Sequence, residues 1–156
     1  MRRIRLLLAG VLGLVLRSVP TTARAQTGPC VGTVQVLGTS NHSTVSSRRL
    51  TVVRFDLTST TEICLADGSK VTGTVVGHFT LLQRPDGTGT VYERDTVSIA
   101  GGAIEFLVTA QFTPTSFNGS VIARNGTGVL SGVTGRGTFF PTGPTTFGTV
   151  IFFRYP

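Results

Sequence analysis

Past residue 25 the chain holds no apolar run with a helical period. It consists of short runs rich in Val, Ile, Thr and Phe, broken by Gly, Asn, Asp and Pro. Branched and aromatic side chains suit a pleated, half-buried surface, and the interrupting residues suit turns. Strand-forming runs fall near 31–38, 49–58, 61–66, 70–83, 89–99, 103–113, 119–124, 128–131, 135–140 and 146–154. Asp67-Gly68 and Asp86-Gly87 have the composition of tight hairpin turns, as do Asn118-Gly119 and Asn125-Gly126, and Gly101-Gly102 joins the next two strands. Strands joined so briefly are antiparallel neighbours. A meander of this length must hide its edges, and closure does that completely. The expected fold is therefore all-β: a single antiparallel up-and-down barrel of about eight strands.

The first 25 residues read differently. Arg2, Arg3 and Arg5 precede an apolar run from Leu6 to Leu16, and a polar segment ends at Ala23-Arg24-Ala25. This is the order of a secretory signal, with cleavage expected after Ala25. The apolar run is well short of the roughly 20 residues that span a bilayer, so no stable membrane span is expected after cleavage. The expected organisation is a signal at 1–25 and one barrel domain at 26–156, secreted or periplasmic. The formal charge of +7 comes largely from the signal, which holds five arginines and no acid. Nine basic and seven acidic residues remain, with Arg48-Arg49 the only basic pair and Lys70 the only lysine. That is no footprint for nucleic acid, which needs clustered basic residues. Cys30 and Cys64 are the two cysteines, and an even count in an exported chain favours a disulfide. Together with the scattered His42 and His78 they do not match metal-ligand spacing, so no metal is expected.

Alternation assigns faces. Ile104, Phe106, Val108, Ala110 and Phe112 share one side of their strand. So do Val53, Phe55 and Leu57; Val71, Val75, Phe79 and Leu81; and Phe147, Ile151 and Phe153. These sets should line the interior of a barrel just wide enough to be filled or to hold one small ligand. One strand breaks the apolar pattern. Val91, Glu93, Asp95, Val97 and Ile99 share a face, so the apolar ends would turn both acids inward. Two carboxyls two residues apart lie about 6–7 Å apart along a strand. Buried together they cannot both ionise cheaply, and such a group can transfer a proton near neutral pH. The competing arrangement is a bulge that turns them to water, where Arg94 or Arg84 would pair with them; a slip of one residue flips every side chain. Glu93 and Asp95 are the candidate catalytic residues. Phe55, Phe79, Tyr92, Phe106 and Phe112 are the candidate ligand-binding residues, although parity sets Tyr92 opposite Glu93. His78 falls on the outward face, and no nucleophile elbow or spaced triad appears.

The stretch Arg124 to Gly137, RNGTGVLSGVTGRG, holds glycines at 126, 128, 132, 135 and 137. A dinucleotide loop would need a helix opening within them and an acid about 20 residues later. Strand-forming Thr138-Phe139-Phe140 follows instead, and no acid occurs after Glu105. The pattern Gly126-x-Gly128, two apolar residues, then Gly132-Val133-x-Gly135 resembles the late hairpin of the allene oxide cyclase and dirigent protein barrels. The order of elements is also similar to that group. The resemblance implies the same barrel, and it admits a cofactor-free cyclase or isomerase acting on a flexible lipophile. Dirigent proteins usually carry Arg where Ser131 stands, which speaks against dirigent chemistry.

Three functions follow as expectations. The first is a cofactor-free enzyme of cyclase or isomerase type, with a small lipophilic molecule as partner. The second is a non-catalytic lipophile carrier, and the third a filled barrel acting as a surface or interaction module; assembly into a homo-oligomer stays open. A cavity below roughly 100 Å³ would mark the filled barrel, since ligand pockets run to about 300 Å³ or more. An open cavity with both acids turned outward would mark the carrier.

Overall fold

The computed structural model describes residues 28–156. Eight strands close into one antiparallel barrel in chain order: β1 (Cys30–Ser46), β2 (Thr51–Cys64), β3 (Lys70–Gln83), β4 (Gly89–Ile99), β5 (Gly102–Phe112), β6 (Phe117–Gly128), β7 (Thr134–Pro141) and β8 (Thr146–Arg154). Closure comes from Cys30–Gln35 of β1 pairing with Thr146–Ile151 of β8. The expected signal and its cleavage site lie outside the described residues. Among the described residues no helix is long and apolar enough to cross a membrane.

The turns at Asp67-Gly68 and Asp86-Gly87 form as expected. Each glycine takes a positive φ, 85° and 81°. Each aspartate accepts hydrogen bonds from the backbone N–H and hydroxyl two residues on, Ser69 in one case and Thr88 in the other. The predicted runs 49–58 and 61–66 are one strand, β2, paired without interruption to β3. The apolar signal lapses there because the inward positions hold Ser59 and Thr61, both buried.

Both Asn-Gly pairs of β6 prove to be strand, not hairpin turn. Gly119 faces inward so close to β7 that a Cβ would lie 2.4 Å from the Phe139 carbonyl oxygen; the turn falls instead at Thr113–Ser116, around Pro114. Asn125 has φ 55° at a register shift against β5, a bulge. The run 128–131 is a turn rather than a strand. Gly128 and Gly132 take φ 58° and 74°, and Leu130, Ser131 and Val133 each donate a backbone hydrogen bond three residues back. Arg136 is exposed on β7, past that turn rather than in it.

The two ends of the barrel differ. At one, the Gly128–Gly132 turn folds Leu130 and Val133 into the opening, where both are fully buried. They pack with Cys30, Ile63, Cys64, Ile104, Ile151 and Phe153. Cys30 and Cys64 form a disulfide with a Cα–Cα distance of 5.6 Å, tying the start of β1 to the end of β2. The Tyr155 hydroxyl donates to the Cys64 carbonyl. At the other end the strands reach different heights. Leu37–Ser46 of β1 pairs with β2 alone and forms a raised lip, kinked by register shifts at Leu37 and His42.

Candidate functional site

The open end encloses an apolar cavity of about 280 Å³. Its wall includes Val36 of β1, Phe55 and Leu57 of β2, Phe79 of β3, Val91 and Glu93 of β4, Phe117, Phe139 and Phe147. Phe55 and Phe79 oppose one another in the β2–β3 register and stack, with centroids 4.4 Å apart. Across the opening Phe139 and Phe147 stack at 4.6 Å, and Phe117 lies 5.9 and 6.5 Å from them. Glu93 is the sole charged residue in this wall.

The strand β4 keeps its simple alternation. Val91, Asp95 and Val97 are buried, Glu93 is partly buried, and Tyr92, Arg94 and Thr96 are exposed. Glu93 and Asp95 therefore both point inward, and no bulge turns them to water. The two arginines weighed as their partners lie elsewhere. Arg94 pairs with Glu105 on the outer wall at 2.9 Å, and Arg84 reaches Thr88 in its own turn. Asp95 lies one layer below Glu93, beside a void of about 20 Å³ that Thr61, Phe106 and Thr149 also line. Its Oδ1 is buried without a hydrogen-bond partner, as are the hydroxyls of Ser59 and Thr61.

A glycine makes room for this carboxyl. Gly77 of β3 sits opposite Asp95, and a Cβ on it would lie 2.0 Å from Asp95 Oδ1. Burial pushes Asp95 up to about 6 against the combined effect of its hydrogen bond to Glu93 and the charge of His78. Burial, the Asp95 charge and the same hydrogen bond raise Glu93 well above the usual carboxylate range. Both carboxyls are raised, so the pair holds a proton nearer neutral pH than a free carboxyl does, and Glu93 is the member that faces the cavity.

The other sequence-derived candidates separate. Phe55 and Phe79 line the cavity. Phe106 lies deeper, buried 6.4 Å from Phe153 and beside the small void. Phe112 is inward but packs over Gly89 at the rim, outside the cavity wall. Tyr92 is 51% exposed on the outer wall and does not reach the cavity, as its parity with respect to Glu93 requires. His78 is on the outer wall, where its Nδ1 and the Nε2 of His42 each lie 2.5 Å from the Asp56 carboxylate. Those two hydrogen bonds hold Asp56 below the usual carboxylate range. No group of described residues could hold a metal ion.

Three cavity residues were missed by sequence reasoning as ligand contacts. Phe139 and Phe147 had readable parity, from Gly135-x-Gly137-x-Phe139 and from the inward set of β8. Phe117 gave no signal, because its strand was expected to begin after it. A larger cleft, of about 540 Å³, lies on the outer wall among Arg124, Arg136, Phe152 and Arg154, away from the acid pair. Compared with known proteins, the chain matches no family model, no curated protein and no solved structure.

Proposed function

We propose that this protein is an exported barrel that binds a small lipophile in its aromatic mouth and moves a proton on it, as a cofactor-free isomerase or cyclase does. The observation that carries the reading is Glu93, a carboxyl of raised pKa set in the wall of an otherwise apolar cavity, with Asp95 behind it. Glu93 acts as the acid toward the ligand. Asp95 tunes it from behind, and the Glu93 carboxylate left after donation takes a proton back from another carbon of the ligand, which restores the acid. The aromatic wall holds the ligand in one shape, which is where much of the barrier to cyclisation or isomerisation lies. The volume of about 280 Å³ supports a ligand cavity over a filled barrel, and the inward acids support an enzyme over a carrier. The disulfide fits an oxidising, extracytoplasmic compartment. The likeness of the glycine hairpin to allene oxide cyclase barrels admits the same kind of chemistry.

Native mass spectrometry of protein from its own host tests occupancy: a retained lipophile is expected. Incubating that complex in D2O then tests chemistry. Deuterium should enter carbon-bound positions of the ligand with the wild type and not with Glu93→Gln. A retained ligand that never exchanges would leave a carrier.

A further inference from the structure

The same cavity has a charge problem that points to the kind of head group it takes. Among the described residues no Lys, Arg or His faces the barrel interior. Around the acid pair β2 contributes Leu57, Ser59 and Thr61, β3 contributes Gly77 and Phe79, β5 contributes Phe106 and Val108, and β8 contributes Phe147 and Thr149. The cations on these strands, Arg54, Lys70, His78, Arg94 and Arg154, are all exposed on the outer wall, with Asp56, Glu62 and Glu105 among them. An anion buried without a partner is costly, and a ligand that supplies the partner binds well for that reason. Five phenylalanines share this wall with Glu93, Phe79 beside it in the β3–β4 ladder, with the Phe55–Phe79 and Phe139–Phe147 stacks among them. Aromatic faces attract a cation and leave it without competing water.

We infer that the mouth cavity selects lipophilic ammonium compounds, with the cationic head at Glu93 among the phenylalanines and the hydrocarbon in the rest of the cavity. This rests on the lipophile-binding reading above and specifies its ligand class. With the ammonium bound, Glu93 faces it as a carboxylate and Asp95 keeps the pair's one proton, so on this ligand class Glu93 takes a carbon-bound proton first, as base, and then returns it as acid. A fatty acid anion finds no cation inside and is rejected.

Three probes of equal chain length test this: n-decylamine, 1-decanol and decanoate, titrated against the full mature protein by calorimetry at pH 8. Decylamine should bind about tenfold tighter than decanol, the equivalent of about 1.4 kcal/mol, and decanoate more weakly than both. Its affinity should fall about tenfold as pH is lowered from 8 to 5, because the acid pair becomes neutral while the amine stays protonated; decanol should not respond. In Glu93→Gln, checked for an unchanged circular dichroism spectrum, the advantage of the amine over the alcohol should shrink to within about twofold. The wild-type pH series stands without that variant should it fail to fold. Decanol binding as tightly as decylamine overturns this inference and leaves lipophile binding intact. Failure of all three probes to bind overturns both.

Discussion

The two ends of the barrel use the same kinds of residue for opposite purposes. At the closed end, apolar side chains fill the opening: Leu130 and Val133 enter from a turn, the disulfide pins two strands, and Tyr155 covers the Cys64 carbonyl. At the mouth, phenylalanines stack in pairs around space rather than across it, and a carboxyl sits in the wall. Stability is concentrated where the packing is complete, because each fully buried Leu or Ile contributes roughly 1.5–3 kcal/mol. The mouth is thereby free to keep a cavity and a group that destabilises the fold. This barrel is a plugged cup, with the acid pair at the boundary between plug and cup.

Substitutions at the two ends should differ most in their cost to stability. Leu130→Ala should cost about 2–5 kcal/mol in urea unfolding, and replacing both cysteines by serine a similar amount. Phe147→Ala at the mouth should cost less than half as much. Equal losses would mean that the mouth is part of the stabilising core.

Next in size is the pH dependence. The Asp95 pKa rises from an ordinary 3.8 to about 6 on folding. A carboxyl raised in the folded state leaves stability complete below about pH 4, and that stability is lost as pH climbs through about 6, by roughly 3 kcal/mol. Glu93 works in the same direction. Unfolding midpoints at pH 4 and pH 7.5 should show this loss in the wild type and a smaller one in Asp95→Asn. A double variant with Glu93→Gln should be flatter still; an equal slope in all three would place the acids in water.

Gly77→Ala sharpens the boundary itself. The backbone there accepts a side chain, but the new Cβ strikes Asp95 Oδ1, so a loss of about 1–3 kcal/mol is expected. The Asp95 carboxyl resonance should move with it in NMR. The smallest effect belongs to the outer wall, where Asp56→Asn breaks the contacts to His42 and His78 yet should leave the unfolding midpoint unmoved, since exposed ion pairs contribute little.

Much of the architecture was legible because alternation is a local signal. Val53, Phe55 and Leu57, or Ile104 to Phe112, reveal an inward face without knowledge of any neighbour. The same rule read through β4 turned Glu93 and Asp95 inward against the expectation that acids seek water. Reading failed where the decisive partner is distant in sequence. Asn118-Gly119 has hairpin composition, but β7 packs against it and makes it strand. Phe112 and Phe117 are nearly alike in the sequence, and only the height of neighbouring strands decides which one reaches the cavity. Gly77 carries no local sign of its purpose in the sequence, because that purpose lies across the ladder on Asp95.

The raised lip has a consequence for how the protein behaves in concentrated solution. From Leu37 to Ser46, β1 offers one side of its backbone to no other strand, which is the template on which sheets of separate molecules join. The extra residues at Leu37 and His42 break the straight run that such joining needs. A cup with an unfinished rim is thus left with a bent edge in place of a straight one, and straightening it by deleting Leu37 or His42 is expected to raise light scattering in concentrated solution.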